Sequence, residues 1–144
     1  MSQHLSIIVG SVLGASEYVA EALEQIAQKA GYTTTLQFEP DLSALETQGT
    51  WLICTSTHGA GELPENIQPF AKALEAADLS GVKAYIVGLG DSSYDTFCYG
   101  AMEMEKRLKS AGATLIADPL HIDVLNHPIP EDVAIEWFEQ QLNA

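Results

Sequence analysis

The stretch LSIIVGSVLGAS, residues 5–16, joins a mostly apolar run to a loop of small residues and the start of a helical pattern. The run from Leu5 to Val9 is typical of a strand that is covered on both faces of a parallel sheet. From Ser16 onward, apolar residues recur at helical spacing until Gly31. The stretch therefore predicts a strand that leads through a glycine-containing loop directly into a helix.

The same alternation continues along the rest of the chain. Further strands are predicted at 33–38, 51–55 and 82–87, with a fifth that opens at 114–116 and resumes at 121–124. Helices are predicted after Pro64, from about Cys98 to Ala111 and from Pro130, whereas residues 40–49 favour no helix. Strands alternating with helices indicate parallel βαβ units. We therefore expect one domain over residues 1–144, an α/β three-layer sandwich with helices on both faces of a five-stranded parallel sheet.

The charge balance restricts the classes of partner. The chain has 20 acidic and 6 basic side chains and a formal charge of −14. Nucleic acids and anionic membranes are bound through Lys and Arg, so the composition argues against both as partners. It favours a partner with a basic face.

The cysteines and apolar runs indicate the compartment. Cys54 and Cys98 lie far apart without a CxxC pairing, which argues against a disulfide scaffold and against a zinc site. No apolar run approaches the roughly 20 residues that span a bilayer, and no cationic segment precedes the first apolar stretch. We expect a cytoplasmic protein.

Small and polar residues are concentrated after three of the predicted strands. They form the segments 10–16, 56–61 and 88–94. Ligands of an open parallel sheet bind beyond the carboxyl ends of the strands, where the strand order reverses. These three segments are therefore the candidate binding loops.

The first loop has features of an anion site, although a tight turn without a ligand would have a similar sequence. Free N–H groups at a helix start favour an anion, Gly14 permits a close turn, and the hydroxyls of Ser11 and Ser16 can donate hydrogen bonds. The GxxxxGK[ST] and GxGxxG patterns are both absent, which excludes a Walker site and argues against a Rossmann site. A response-regulator receiver needs an acidic residue at the end of the third strand, where this chain has Thr55, Ser56 and Thr57, and no GxSxG esterase elbow occurs.

Taken together, the three loops resemble the FMN-binding loops of the flavodoxin family, and the likeness covers essentially the whole chain. The third loop is especially similar to the FMN domains of sulfite reductase and cytochrome P450 reductase. The resemblance implies the strand order 2-1-3-4-5 and FMN as the cofactor. It also implies a set of binding residues: Ser11, Val12, Leu13, Gly14, Ala15, Ser16, Ser56, Thr57, His58, Gly59, Ala60, Gly61, Leu89, Gly90, Asp91, Tyr94, Phe97 and Cys98.

The resemblance also implies individual roles. Tyr94 would stack on the isoalloxazine ring, and His58 would cover the opposite face unless it points to solvent. The carbonyl of Gly59 would accept a hydrogen bond from N5–H of the one-electron-reduced flavin. Leu13 departs from the family pattern because it replaces a hydroxyl residue in the phosphate loop. Asp123, after the last strand, would lie near the ribityl chain.

The implied function is single-electron transfer from a flavodoxin-reductase-type donor to an iron–sulfur or other redox acceptor with a basic docking face. Acidic residues near the predicted ring edge, Glu62, Asp91 and Asp95, would form the docking rim. Two alternatives stay open at this point. One is a flavin-dependent quinone or nitro reductase, and the other is an FMN-free interaction module on the same fold.

Overall fold

A computed structural model describes residues 3–11, 14–45, 47–57 and 61–143. Its strands are β1 (His4–Gly10), β2 (Thr33–Gln37), β3 (Gln48–Ser56), β4 (Gly81–Gly90), β5 (Thr114–Leu115) and β6 (Leu120–Asp123). They form a parallel sheet of order β2-β1-β3-β4-β5, and the short β6 also pairs with β4, beyond the end of β5. The predicted fifth strand is thus two segments that pair with the same strand, and the predicted strand order is confirmed.

The described residues form four α-helices that connect or follow these strands. They are α1 (Ala15–Lys29), α2 (Gln68–Ala73), α3 (Tyr99–Ser110) and α4 (Pro130–Leu142). Short 3-10 turns at Glu65–Ile67 and Leu74–Ala76 flank α2, and another lies at Leu42–Ala44. Pro130 begins α4, where its missing N–H costs no helical hydrogen bond.

The sheet separates two hydrophobic cores. On one face α1 and α4 pack over alternate residues of the central strands, with Leu23 and Phe138 fully buried. On the other face α2 and α3 pack on the sheet and form a second core. In it Trp51 of β3 meets Phe70 of α2, with ring centroids 5.8 Å apart. Both faces of the central strands are therefore covered, which explains their largely apolar sequences.

Three predicted elements differ from the observed ones. Strand β3 begins at Gln48 rather than at Trp51, because its pairing with β4 starts at Gln48. Strand β4 continues to Gly90 rather than ending at Val87, because it pairs with β3 as far as Leu89 and with β6 as far as Gly90. The helix expected after Pro64 is a 3-10 turn followed by a short α-helix with Pro69 near its start. Among the described residues, no helix has the length and apolar character needed to cross a bilayer.

Candidate functional site

The three candidate loops begin side by side at one edge of the sheet. Gly10 pairs with Thr55 in the register of β1 and β3, and Thr55 pairs with Gly88 in that of β3 and β4. Neighbouring strands lie about 4.8 Å apart, so the three strand ends span only about 10 Å. The connection after β1 leads through α1 to β2 on one side, and the connection after β3 leads through α2 to β4 on the other, which creates a crevice between the ends of β1 and β3.

The first loop closes on itself at Gly14. The Gly14 N–H donates to the Ser11 hydroxyl oxygen at 2.8 Å, and the Gly14 carbonyl accepts from Tyr18 N at 3.1 Å. Gly14 has φ +88°, a backbone conformation that side chains with a Cβ disfavour. Val12 and Leu13 lie outside the described residues. The described part of the loop thus places the Ser11 hydroxyl, whose hydrogen stays available to a ligand, shortly before helix α1.

The Ser16 hydroxyl points into the protein. Ser16 is fully buried, and its Oγ lies 2.6 Å from Oγ of Ser56, the last residue of β3. Ala15 is half-buried at the first position of α1. The Ser16–Ser56 hydrogen bond thus ties the first loop to the start of the second.

Asn66 anchors the first loop from outside and was not among the predicted site residues. Its Oδ1 accepts from Ser11 N at 2.9 Å, and its Nδ2 donates to Val9 O at 2.7 Å and to Phe38 O at 2.9 Å. In sequence Asn66 is one amide in a turn after Pro64, with no pattern to mark it. Only its position beside β1 reveals the role.

The second loop is linked to helix α3. The Thr57 hydroxyl oxygen accepts from Gly100 N at 2.9 Å, in the first turn of α3. Gly61, at φ +104°, packs so closely that an added Cβ would lie 2.8 Å from Cδ2 of Tyr99. His58, Gly59 and Ala60 lie outside the described residues.

The third loop starts with a carboxylate turn and an exposed aromatic ring. Asp91 Oδ1 accepts from Ser93 N at 2.8 Å and from Ser93 Oγ at 2.6 Å. The next residue, Tyr94, is 64% exposed, so its ring is free to contact a ligand. Leu89 is 3% exposed within the α1–α4 core, so only its backbone faces the edge. Gly90 ends β4, and its carbonyl accepts from Val124 N at 2.8 Å.

The end of the third loop is buried. Cys98 is fully buried at φ +55°, and burial raises the pKa of its thiol to about 12. The thiol is therefore protonated at neutral pH, which agrees with a packing role. Phe97 meets the ring of His121 edge to face at 6.3 Å. The buried Nε2 of His121 has no hydrogen-bond partner in the described part of the chain, and burial lowers the pKa of this imidazole.

Asp123 anchors the third loop from the end of β6. Its Oδ1 accepts from Ser92 N at 3.2 Å and from Leu125 N at 3.0 Å, and its Oδ2 accepts from Asn126 Nδ2 at 3.0 Å. Hydrogen bonds from Ser92 are the main reason why the pKa of this carboxyl lies below its usual value. The resemblance implied that Asp123 lies near the ribityl chain. In the structure its carboxylate binds the backbone of the third loop at Ser92.

Three comparisons with known proteins bear on this site. The sequence profile of the flavodoxin family matches residues 7–137. The chain is 43% identical to protein MioC of Escherichia coli K12 over 141 residues, covering 96% of each chain. It is 46% identical to the MioC homolog of Haemophilus influenzae over 136 residues, covering 93% of each. A cysteine-to-serine mutant of flavodoxin from Pseudomonas aeruginosa has a similar structure, with a TM-score of 0.89, 30% identity and 97% of each chain covered.

Proposed function

The chain belongs to the flavodoxin family, and on that premise we propose that it carries single electrons from a reductase-type donor to a redox acceptor. The cofactor is FMN, as family membership implies. The residues that hold it, the donor and the acceptor are our proposals. A cytoplasmic location likewise stays a prediction from the sequence.

One observation carries the proposal: the three loops share one edge of the sheet beside the β1 crevice. Gly10, Thr55 and Gly88 are aligned across β1, β3 and β4, so each loop leaves the sheet next to another. A phosphate bound by one loop and a flat ring bound by the other two would then belong to one molecule. If the loop after β1 were only a tight turn without a ligand, it would not require small and polar loops after the neighbouring strands.

The described residues fit a phosphate at the first loop. The Ser11 hydroxyl accepts from Gly14 N and keeps its own hydrogen to donate, and it lies shortly before α1, where unpaired N–H groups and the helix dipole favour an anion. Residues 3–28 contain no Lys or Arg, so the phosphate would be held by neutral donors alone. Residues 11–16 would form the phosphate site, and the buried Ser16 would contribute by holding the loop through its hydrogen bond to Ser56.

The other two loops would hold the flavin ring. Bound FMN supplies the electron chemistry, and the chain supplies binding, orientation and electrostatics. The exposed Tyr94 would stack on one face, and Phe97 and Cys98 would support the loop from below. Leu89 would contribute only its backbone. Residues 56–61, with Gly90 and Asp91, would border the remaining edge, and the roles of His58 and Gly59 stay predictions.

Acidic side chains surround this edge and favour a basic partner. Glu62 and Asp95 are exposed and Asp91 is half-buried, and Glu17, Glu131 and Asp132 lie in the first turns of α1 and α4. Helices α1 and α4 together carry seven acidic residues and one basic residue, whereas α2 and α3 carry two and four. Such a charge distribution would steer a basic donor or acceptor toward the site. It would also oppose negative charge on the bound flavin and make the protein a stronger reductant.

The test has a binding step and a transfer step. Titration of the apoprotein with FMN, followed by visible absorption, should show a saturable spectral change. Reduction by NADPH should then require an added flavodoxin reductase and should slow as salt is added. A preparation that ignores FMN would contradict the site, and steady NADPH oxidation by the pure protein would favour the reductase enzyme instead.

A further inference from the structure

We infer that Asn66 is a positioning residue that sets the shape of the phosphate loop 11–16 without belonging to it. The inference rests on the proposed function, because it takes this loop to be the phosphate site. It concerns a residue on a different element, the 3-10 turn Glu65–Ile67 that precedes α2. The side-chain amide of this residue makes three hydrogen bonds to backbone atoms around the start of the loop.

Asn66 occupies the point where strands β1 and β2 separate. Their last register pair is Ile8 with Gln37, so Val9 and Phe38 are the first residues beyond the ladder. Asn66 Nδ2 donates to the carbonyl oxygens of both, at 2.7 and 2.9 Å. The side-chain amide thereby bridges the two backbones just beyond the last register pair of β1 and β2.

The same amide fixes the first residue of the loop. Asn66 Oδ1 accepts from Ser11 N at 2.9 Å, while Nδ2 binds Val9 O two residues earlier. This pair of bonds holds the backbone on either side of Gly10. The direction in which Ser11 leaves β1 is then determined, and with it the placement of the Ser11 hydroxyl that accepts from Gly14 N.

Packing around Gly10 keeps Asn66 in place. Ile67 is fully buried, and its Cγ2 lies 3.0 Å from the position that a Cβ of Gly10 would occupy. The absence of a side chain at Gly10 thus lets the turn 65–67 approach the end of β1. Because the neighbouring side chain is locked in the core, the amide is held at the strand end.

The chemistry of the amide suits a phosphate site. An asparagine side chain both donates and accepts, and it does so without charge. A carboxylate could accept from Ser11 N but could not donate to Val9 O and Phe38 O, and its charge would repel a phosphate dianion. The three backbone partners would lose their hydrogen bonds if the amide were removed.

The experiment compares the Kd of FMN with that of riboflavin, which lacks the phosphate. The proteins are the wild type, Asn66→Ala, the near-isosteric Asn66→Asp, and a control, Gln68→Ala. Gln68 also donates to a backbone carbonyl, that of Leu63 at 2.8 Å, but makes no bond to the loop in the described structure. Thermal unfolding of each protein identifies variants that have lost the fold.

For Asn66→Ala, the Kd of FMN should rise about tenfold or more while that of riboflavin changes about threefold or less. Asn66→Asp should weaken FMN binding at least as much, with partial recovery in salt, and should decide the matter if Asn66→Ala does not fold. Gln68→Ala should leave the preference for FMN over riboflavin unchanged.

Two contrary outcomes have different meanings. Equal affinity of the wild-type protein for FMN and riboflavin would overturn the phosphate site itself, and the inference with it. A clear FMN preference in the wild type that survives in Asn66→Ala and Asn66→Asp would overturn only the positioning role of Asn66. Amide exchange at Ser11 in the apoprotein adds a readout without cofactor, and it should quicken in Asn66→Ala.

Discussion

The first loop, residues 11–16, and the third loop, residues 91–98, are anchored by different chemistry. The first is held by the neutral amide of Asn66 and by the buried hydroxyl pair of Ser16 and Ser56. The third is held by two carboxylates, Asp91 and Asp123, and carries an exposed ring at Tyr94. The neutral anchors lie where an anion would bind, and the charged anchors lie where electron partners would dock. Neutral anchors in the first loop would not repel a phosphate, and carboxylate anchors in the third loop would attract a basic protein partner.

The largest effect should come from Gly90→Ala, which tests how rigidly the protein packs at the point where the third loop leaves β4. An added Cβ would lie 2.8 Å from the backbone nitrogen of Cys98, which cannot yield as a side chain could. Urea unfolding should show a loss of about 3 kcal/mol. Gly81→Ala, at the other end of β4, is the control, because its nearest neighbour is the flexible Gln48 side chain at 3.2 Å. Equal losses in the two variants would refute the rigid packing at Gly90.

Ser11→Ala and Ser93→Ala compare matched serines in the two loops. Ser11 accepts from Gly14 N, and Ser93 donates to Asp91. A charge-assisted hydrogen bond is worth about 1.5–3 kcal/mol, so Ser11→Ala should weaken FMN binding roughly tenfold or more and leave riboflavin binding unchanged. Ser93→Ala should change the binding of both flavins little. A uniform loss of both flavins in Ser11→Ala would mean that the hydroxyl does not read the phosphate.

Tyr94→Ala should affect the two flavins alike, because both contain the ring. A stacked aromatic face contributes about 1 kcal/mol beyond its buried area, which corresponds to a roughly fivefold rise in Kd. Tyr94→Phe keeps the ring and should bind both flavins almost as the wild type does. If Tyr94→Ala binds both with unchanged Kd, the third loop does not cover the ring through this residue.

The smallest effect concerns pH. Hydrogen bonds from Ser92 lower the pKa of Asp123. The stabilisation that the ionised Asp123 carboxylate gives to the folded loop is therefore complete above the ordinary carboxyl pKa of about 4, and it is lost as the pH falls through the lowered pKa. The NMR amide signal of Ser92 should therefore shift in acid, while that of Ser11, bonded to a neutral amide, should not. Asp123→Asn should abolish the Ser92 shift. Parallel shifts of both amides would contradict the difference between the anchors.

Much of the fold is predictable from the sequence because the local signals agree. The strands are marked by their apolar composition and two helix ends by Gly31 and Gly112, and both glycines adopt the positive φ that such an end requires. The predicted end of β4 is wrong because Gly88 and Gly90 suggest a loop, whereas pairing with β3 and β6 keeps them extended. Pairing across strands is not encoded locally.

The site is predictable only in part. The three loops are recognisable from their small and polar residues, but the side chains that anchor them lie elsewhere. Asn66 and Asp123 reach the loops from the turn after Pro64 and from β6. The inward position of Ser16 is likewise decided by Ser56, 40 residues along the chain. Contacts of this kind depend on strand order and cannot be inferred from spacing.

The three bonds of Asn66 have a consequence for transplanting this loop. Its partners among the described residues are backbone atoms, at Val9, Ser11 and Phe38, so these hydrogen bonds do not depend on which side chains stand at those positions. The hydrogen bond that holds the first residue of the loop therefore comes from a residue 55 positions downstream of Ser11. A designer who copies residues 9–16 onto another parallel sheet would transfer the donors but not their arrangement. The smallest portable unit is the loop together with an amide placed between the two diverging strands.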